Sequence, residues 1–371
     1  MKFLLIGGLA DSLINFRGPL IATLRARGLQ VHVAAPDLPL GHPLRTQMES
    51  EELTVHDIPM RRTGTNPLSD LQTLWALWRV MRAVRPDCVM GYTIKPVIYG
   101  SLAAWLTGVP RCFALITGLG YAFQGDGRRG KLEAVVQRLY ALALRRVDKV
   151  FFQNPDDESL FRQRRILSAG TPSCVVNGSG IDLGGFSKVP LPTGLPRFLL
   201  IARLLGDKGV REYAQAARRI RLVHPNVRCA LVGWIDVNPN AISEVELNGW
   251  IREGSIEFLG KLSDVRPVIS DNSVYVLPSY REGTPRTVLE AMAMGRAIIT
   301  TNAPGCRETV IDGYNGFLIP IKSAEALEQA MLRFINEPAL IERMGRRSRQ
   351  VAEEKYDVQK INAMMLREMG I

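Results

Sequence analysis

Short apolar runs recur along the chain, each closed by glycine or small polar residues and each followed by a segment with apolar residues at helical spacing. The runs fall at 3–6, 31–35, 89–92, 113–116, 150–153 and 174–176, and again at 198–201, 229–233, 256–259, 274–277, 297–301 and 317–319. Runs this short, apolar at successive positions rather than at alternate ones, suit strands covered on both faces of a parallel sheet. Their alternation with helical segments predicts an α/β fold. Two series of runs in 371 residues predict two domains. Between the series lies Ser187 to Pro196 (SKVPLPTGLP), rich in proline and glycine, which reads as an interdomain linker. The expected domains are therefore 1–186 and 197–355.

The densest information lies in Val274 to Leu318, VYVLPSYREGTPRTVLEAMAMGRAIITTNAPGCRETVIDGYNGFL. Val274 to Leu277 reads as a strand, ended by Pro278 and Ser279. Glu282 and Gly283 occupy the loop, and Pro285 suits a first helical turn. Thr287 to Met294 is helical, Gly295 stops it, and Ala297 to Thr301 is the next strand. In open α/β sheets, ligands bind beyond the carboxyl ends of the strands. A helix starting there offers free N–H groups and a positive dipole end to an anion. Carboxylates beside it accept from the paired hydroxyls of a sugar or a ribose. The unit therefore suits phosphate, ribose and sugar together, with Glu282 at its mouth and Glu290 within its helix.

The order SYREGTPRTVLEAMAMGRAIITT, then GCRE, then DGYNGFL resembles family 4 of the retaining nucleotide-sugar glycosyltransferases, whose E-x7-E motif corresponds to Glu282 and Glu290. The resemblance implies a GT-B fold: two Rossmann-like domains with parallel sheets facing across a cleft, the last helix (356–371) crossing back to the first domain. It implies that Arg203 and Lys208 clamp the donor diphosphate, which two cations can steady before and after bond cleavage. It implies that Glu282 meets the donor sugar, with Gly283 and Thr284 also donor-binding, Glu290 the ribose, the loop at Leu262 the base, and Gly305 with Glu308 the diphosphate or sugar. Glu282, Arg203 and Lys208 are the expected catalytic residues. No D-x-D motif is visible; no metal and no further cofactor is expected.

In the first half, Gly7 and Gly8 follow the first strand without completing a G-x-G-x-x-G, and no acidic residue closes the second strand, which argues against a dinucleotide-dependent dehydrogenase. The resemblance places this loop on the acceptor side, making Gly7, Gly8 and Arg17 candidates, with Thr93, Lys95, Gly118 and Gly120 on the later strand ends. Many family members carry a histidine at the strand end after Tyr92; here Thr93 and Lys95 stand instead. Three segments, INFRGPL, TIKPVIYGSLAAWLTGVP and ALITGLGYAF, are similar to bacterial enzymes that extend undecaprenyl-diphosphate-linked sugars. The expected partners are accordingly a UDP-sugar and a lipid-diphosphate-linked acceptor.

Charge sharpens this picture. The chain carries a net +11, and residues 1–190 hold 23 Lys+Arg against 15 Asp+Glu, so eight of the eleven surplus charges lie in the first half. Around the helix expected over 132–146, Arg128, Arg129, Lys131, Arg138, Arg145 and Arg146 suggest an anionic membrane surface as partner. That helix is expected to set Val135, Leu139, Leu142 and Ala143 on one face. Nucleic acid is the rival for a basic chain, but no reading motif or aromatic platform is present, so none is expected as a partner. The five cysteines lack metal spacing and read as reduced thiols, and the first apolar run is too short for a signal peptide. The location expected is cytoplasmic, peripheral on the inner face of the membrane. The rival readings are a glycosyltransferase with a non-lipid acceptor, a sugar-nucleotide epimerase, and a non-catalytic nucleotide-sugar binder; the scarcity of histidines disfavours the epimerase.

Overall fold

The computed structural model describes residues 1–61, 66–119, 130–236, 238 and 240–371, with 130–132 described through their backbone alone. The chain divides into two compact units, Met1–Ser179 joined by Ile361–Ile371, and Gly180–Lys360.

The first unit holds a parallel sheet built from β1 (Lys2–Ile6), β2 (Gln30–Ala35), β3 (Thr54–Asp57), β4 (Cys88–Tyr92), β5 (Arg111–Ile116), β6 (Lys149–Phe152) and β7 (Ser173–Val175) in the order β3-β2-β1-β4-β5-β6-β7. Its helices are α1 (Ala10–Asn15), α2 (Gly18–Ala26), α3 (Pro43–Ser50), α4 (Pro67–Val84), α5 (Ile94–Thr107), α6 (Gly130–Ala143) and α7 (Pro155–Gln163). Phe3 pairs with Val31 on one side and Cys88 on the other, which makes β1 central. The strand's period of two sends Phe3 and Leu5 into one core and Leu4 and Ile6 into the other, so both faces are covered and every position of the run is apolar. Strand order reverses between β1 and β4, the place where open α/β sheets bind ligands.

The second unit repeats the plan with β8 (Arg197–Ile201), β9 (Arg228–Val232), β10 (Glu257–Phe258), β11 (Val274–Leu277), β12 (Ala297–Thr301) and β13 (Gly316–Ile319), ordered β10-β9-β8-β11-β12-β13. Its helices are α8 (Val210–Val223), α9 (Glu244–Arg252), α10 (Arg266–Ser270), α11 (Arg286–Ala293), α12 (Ala324–Asn336), α13 (Ala339–Lys355) and the start of α14 (Val358–Met369). Here the order reverses between β8 and β11. The sequence reading places β11 and β12 at the same residues. Pro285 differs slightly, standing as the N-cap of α11 rather than inside its first turn.

Residues 187–196, read as a linker, belong to the second unit. Arg296 holds them there. Its side chain is 1% exposed, and its five N–H groups donate to the carbonyls of Val189, Pro190, Ile269, Ser270 and Met294, each at 3.0 Å. Burial lowers the guanidinium pKa to about 10, which leaves it charged at neutral pH.

At the other end of the chain, Ile361, Met365, Leu366 and Met369 enter the core of the first unit beside Phe3, Leu20 and Leu24. Arg111 donates to the carbonyls of Met369 and Gly370, and Lys149 pairs with Glu368 at 2.7 Å. The helix α6 buries Tyr140 and Ala143, with Val136 and Leu139 packed against the same core. Val135 and Leu142 face outward, contrary to the face read from the sequence, because Tyr140 docks edge-on against Phe161 and fixes the rotation of the helix. Among the described residues, no helix is long and apolar enough to cross a membrane.

Candidate active site

In the second unit, the loops after β8, β11 and β12 are knitted together. The chain leaves β8 through Arg203, and Gly206–Lys208 forms one tight helical turn. Gly209 ends that turn at φ +70°, where a Cβ would lie 2.1 Å from the carbonyl oxygen of Pro278. Only glycine combines that backbone conformation with that approach. Tyr280 N donates to the Asp207 carbonyl at 2.8 Å, and Ser279 Oγ lies 3.1 Å from the same oxygen, which joins the turn to the loop after β11.

This registration brings Lys208 Nζ to 2.5 Å from Glu282 Oε1, and Ser279 Oγ donates to the same oxygen at 2.8 Å. The Glu282 backbone is held in turn by the loop after β12: Glu282 N donates to Pro304 O at 2.9 Å. Gly305 (φ +80°) lets that loop pass so close that a Cβ would sit 2.2 Å from Glu282 O. Thr301 Oγ1 donates to Ser279 O beneath the pair. Gly283 is buried and Thr284 half-buried on the same loop.

Arg203 is oriented by a second carboxylate, Asp236, whose Oδ2 accepts from Nη1 at 2.9 Å. Asp236 lies just beyond β9, and the Trp234 carbonyl accepts from Leu204 N at 3.0 Å. Lys261 Nζ stands 5.1 Å from the centroid of the Trp234 ring, and Gly233 N donates to Gly260 O, so Leu262 borders the same group of loops. Glu290 is buried one turn into α11 and pairs with Arg286 at 3.0 Å. Burial raises its pKa, and Arg286 opposes the rise. Glu308 lies in the short turn after Gly305; its carbonyl accepts from Lys355 Nζ at 2.8 Å and from Tyr356 OH at 2.5 Å.

In the first unit, Gly7, Gly8, Arg17 and Thr93 gather at the ends of β1 and β4. Arg17 is buried with its guanidinium 5.0 Å above the Tyr92 ring, and the Tyr92 hydroxyl shares a 2.7 Å hydrogen bond with Ser12. A Cβ on Gly7 would stand 2.5 Å from that hydroxyl, and one on Gly8 would meet Thr93 Oγ1 at 2.9 Å. Thr93 itself has φ +68°, an outlier for a β-branched residue. Lys95 Nζ pairs with Asp70 of α4 at 2.7 Å, with both side chains largely covered. Gly118 follows β5 at φ +124°. Gly120 lies outside the described residues.

Two family models account for most of the chain: "Glycosyl transferase 4-like domain" matches residues 17–178, and "Glycosyl transferases group 1" matches 186–351. The chain belongs to these glycosyltransferases. Its two parallel sheets with helices are the GT-B architecture. Over 343 residues the glycosyltransferase is 29% identical to the N,N'-diacetylbacillosaminyl-diphospho-undecaprenol alpha-1,3-N-acetylgalactosaminyltransferase of Campylobacter jejuni, covering 89% of this chain and 88% of that protein. It is 25% identical over 300 residues to the UDP-Gal:alpha-D-GlcNAc-diphosphoundecaprenol alpha-1,3-galactosyltransferase of Escherichia coli, covering 76% of this chain and 75% of that one. Among solved structures, Anabaena HepE in complex with UDP superposes with a TM-score of 0.79 at 18% identity, over 100% of both chains.

Sequence reasoning missed Asp236, Ser279 and Asp70 as partners of the glycosyltransferase's candidate cations and carboxylate. Ser279 adjoins the motif and could have been weighed with it. Asp236 and Asp70 have no local signal, being 33 and 25 residues from the side chains they hold.

Proposed function

We propose that the chain is a retaining glycosyltransferase that moves a sugar, an N-acetylhexosamine or one similar, from a UDP-sugar to an undecaprenyl-diphosphate-linked saccharide. The observation that carries the reading is the meeting of Lys208 and Glu282 beside Arg203, at the point where the second sheet reverses its strand order. Arg203 and Lys208 take the donor diphosphate, and Glu290 accepts from the ribose hydroxyls. Glu282, released from Lys208 as the phosphate takes the amine, accepts from hydroxyls of the sugar. The names of the C. jejuni and E. coli relatives, both acting on diphosphoundecaprenol-linked sugars, support the acceptor class.

In the reaction, the acceptor hydroxyl attacks the anomeric carbon on the face from which UDP leaves. The bond from that carbon to the β-phosphate oxygen breaks, a new glycosidic bond forms, and the departing phosphate takes the acceptor's proton. Two cations supply the charge stabilisation that a divalent metal would otherwise give, so turnover is expected to survive EDTA. The acceptor's lipid implies work at the inner face of the cytoplasmic membrane.

Calorimetry with UDP tests the reading first. Binding in the micromolar range is expected, weakened at least tenfold in Arg203→Ala, since a charge-assisted phosphate contact contributes about 1.5–3 kcal/mol. Absence of binding to any nucleoside diphosphate would overturn it, and full turnover by Glu282→Gln would remove Glu282 from its role.

A further inference from the structure

The helix α4 is apolar on two opposite faces. Thr73, Leu77, Met81 and Val84 are buried against the first unit, joined there by Leu74, Ala76 and Val80. On the other side Leu68, Leu71, Trp75 and Trp78 are 72%, 61%, 57% and 37% exposed. At 100° per residue these four fall on one arc, and Arg79 and Arg82 fall on the same arc. Arg79 stacks 4.7 Å from the centroid of Trp75, and both line an open recess of about 660 Å³ against the segment His56–Pro59. Arg85, exposed, closes the helix.

Charge separates this face from an ordinary protein contact. Asp70 is the sole acid between Asn66 and Arg85, and it is already neutralised by Lys95 on the covered side of the helix. Arg79, Arg82 and Arg85 have no carboxylate partner among the described residues. The face thus joins two tryptophans and two leucines to guanidinium groups without an ion-pair partner, Asp57 being the one acid among the described residues that lines the recess beside Arg79. Tryptophan rings settle at the headgroup level, arginine stems reach past apolar atoms to phosphate, and anionic lipid supplies the countercharge.

We propose that this outer face of α4 is the surface by which the protein docks on an anionic lipid bilayer, the leucine and tryptophan side chains entering the interface and Arg79, Arg82 and Arg85 meeting lipid phosphates. The inference deepens the reading of a lipid-linked acceptor, on which its biological sense rests. It assigns the contact to α4 rather than to the 132–146 segment marked by sequence charge alone.

Vesicle flotation of the full chain tests it, with phosphatidylcholine alone and with phosphatidylglycerol added. The protein is expected to float with the anionic vesicles and to be partly released by salt. The double variant Leu71→Ser/Trp75→Ser should lower partitioning at least about tenfold. The pair Arg79→Gln/Arg82→Gln should erase the preference for phosphatidylglycerol. Leu222→Ser, which removes a still more exposed leucine from α8 of the second unit, should float like the parent. UDP calorimetry on each variant separates the two readings: loss of flotation with UDP binding intact supports the docking face, whereas flotation that follows the stripe in a protein unable to bind UDP sinks the donor reading and leaves this one standing. The proposal is overturned if the parent ignores both vesicle types or if the stripe variants float as well as the parent. It is also overturned if light scattering shows the parent to be a dimer that the stripe variants dissociate, which would make a second copy the occupant.

Discussion

Lys208 Nζ and Glu282 Oε1 lie 2.5 Å apart, so the cation and the carboxylate expected to handle the two ends of the donor neutralise each other. In the function proposed above, a donor diphosphate draws the amine away and the freed carboxylate then faces the sugar. Binding of one end of the donor therefore prepares the residue for the other. Glu282→Gln keeps the acceptor for Ser279 but loses the charge; kcat is expected to fall about a hundredfold, with a smaller change in UDP affinity. Lys208→Ala should weaken UDP about tenfold, and the double variant should cost less than the two single effects combined. Strict additivity in steady-state kinetics and calorimetry would show that the pair is not coupled.

Asp236 holds Arg203 from 33 residues away and, among the described residues, makes no ion pair with another candidate donor residue. Asp236→Asn retains an acceptor oxygen but removes the charge that keeps the guanidinium in place. UDP affinity is expected to fall about three- to tenfold while unfolding is scarcely altered. Arg203→Lys should not rescue binding, because an ammonium lacks the planar fork. A calorimetric series with UDP and uridine locates the loss: it should appear with UDP and vanish with uridine.

Arg296 is a structural fastener. Replacing it with methionine fills similar volume but removes the guanidinium donor from five carbonyls, of which Ile269 and Met294 each keep a long backbone hydrogen bond. Stability of the second unit should drop on the order of 3–5 kcal/mol, and Arg296→Lys should recover only part, having three donors for five acceptors. The midpoint of urea unfolding reads both changes.

The first unit carries an acid-sensitive element. His56 Nε2 lies 3.1 Å from His32 Nδ1, and burial, then His32 and Arg45, lowers the His56 pKa from 6.5 to about 4. Between those values the unfolded chain binds a proton at this site and the folded one does not. Stability is therefore full above pH 6.5 and declines as pH falls toward 4. In His56→Asn, the melting temperature of the first unit should vary less across this window.

Much of this could be read from the chain. The runs at 274–277 and 297–301 became β11 and β12 without change, because strands covered on both faces read as unbroken apolar and β-branched runs, the hydroxyls of Thr300 and Thr301 being satisfied by the Leu277 and Ser279 carbonyls. The loop between them announced its carboxylates through residue order alone. The hidden parts share a different property. The strand β3, four residues at the sheet edge with mixed exposure, and the short α1 carry too little periodicity to stand out. The proline-rich stretch 187–196 looks like a linker until Arg296, a hundred residues later, is seen to bind it. The rotation of α6 depended on Tyr140 meeting Phe161, which no helical pattern states.

The core around Phe3, Leu20 and Leu24 includes Ile361, Met365, Leu366 and Met369. A ribosome making this protein finishes Met1–Ser179 and must then translate all of Gly180–Lys360 before the missing side of that core exists. At about 5–20 residues per second, the delay is on the order of ten to forty seconds. Throughout it the nascent first unit exposes an apolar trough, and the second unit is free to fold first. Chaperone demand during synthesis should therefore fall on the half of the protein that is made earliest.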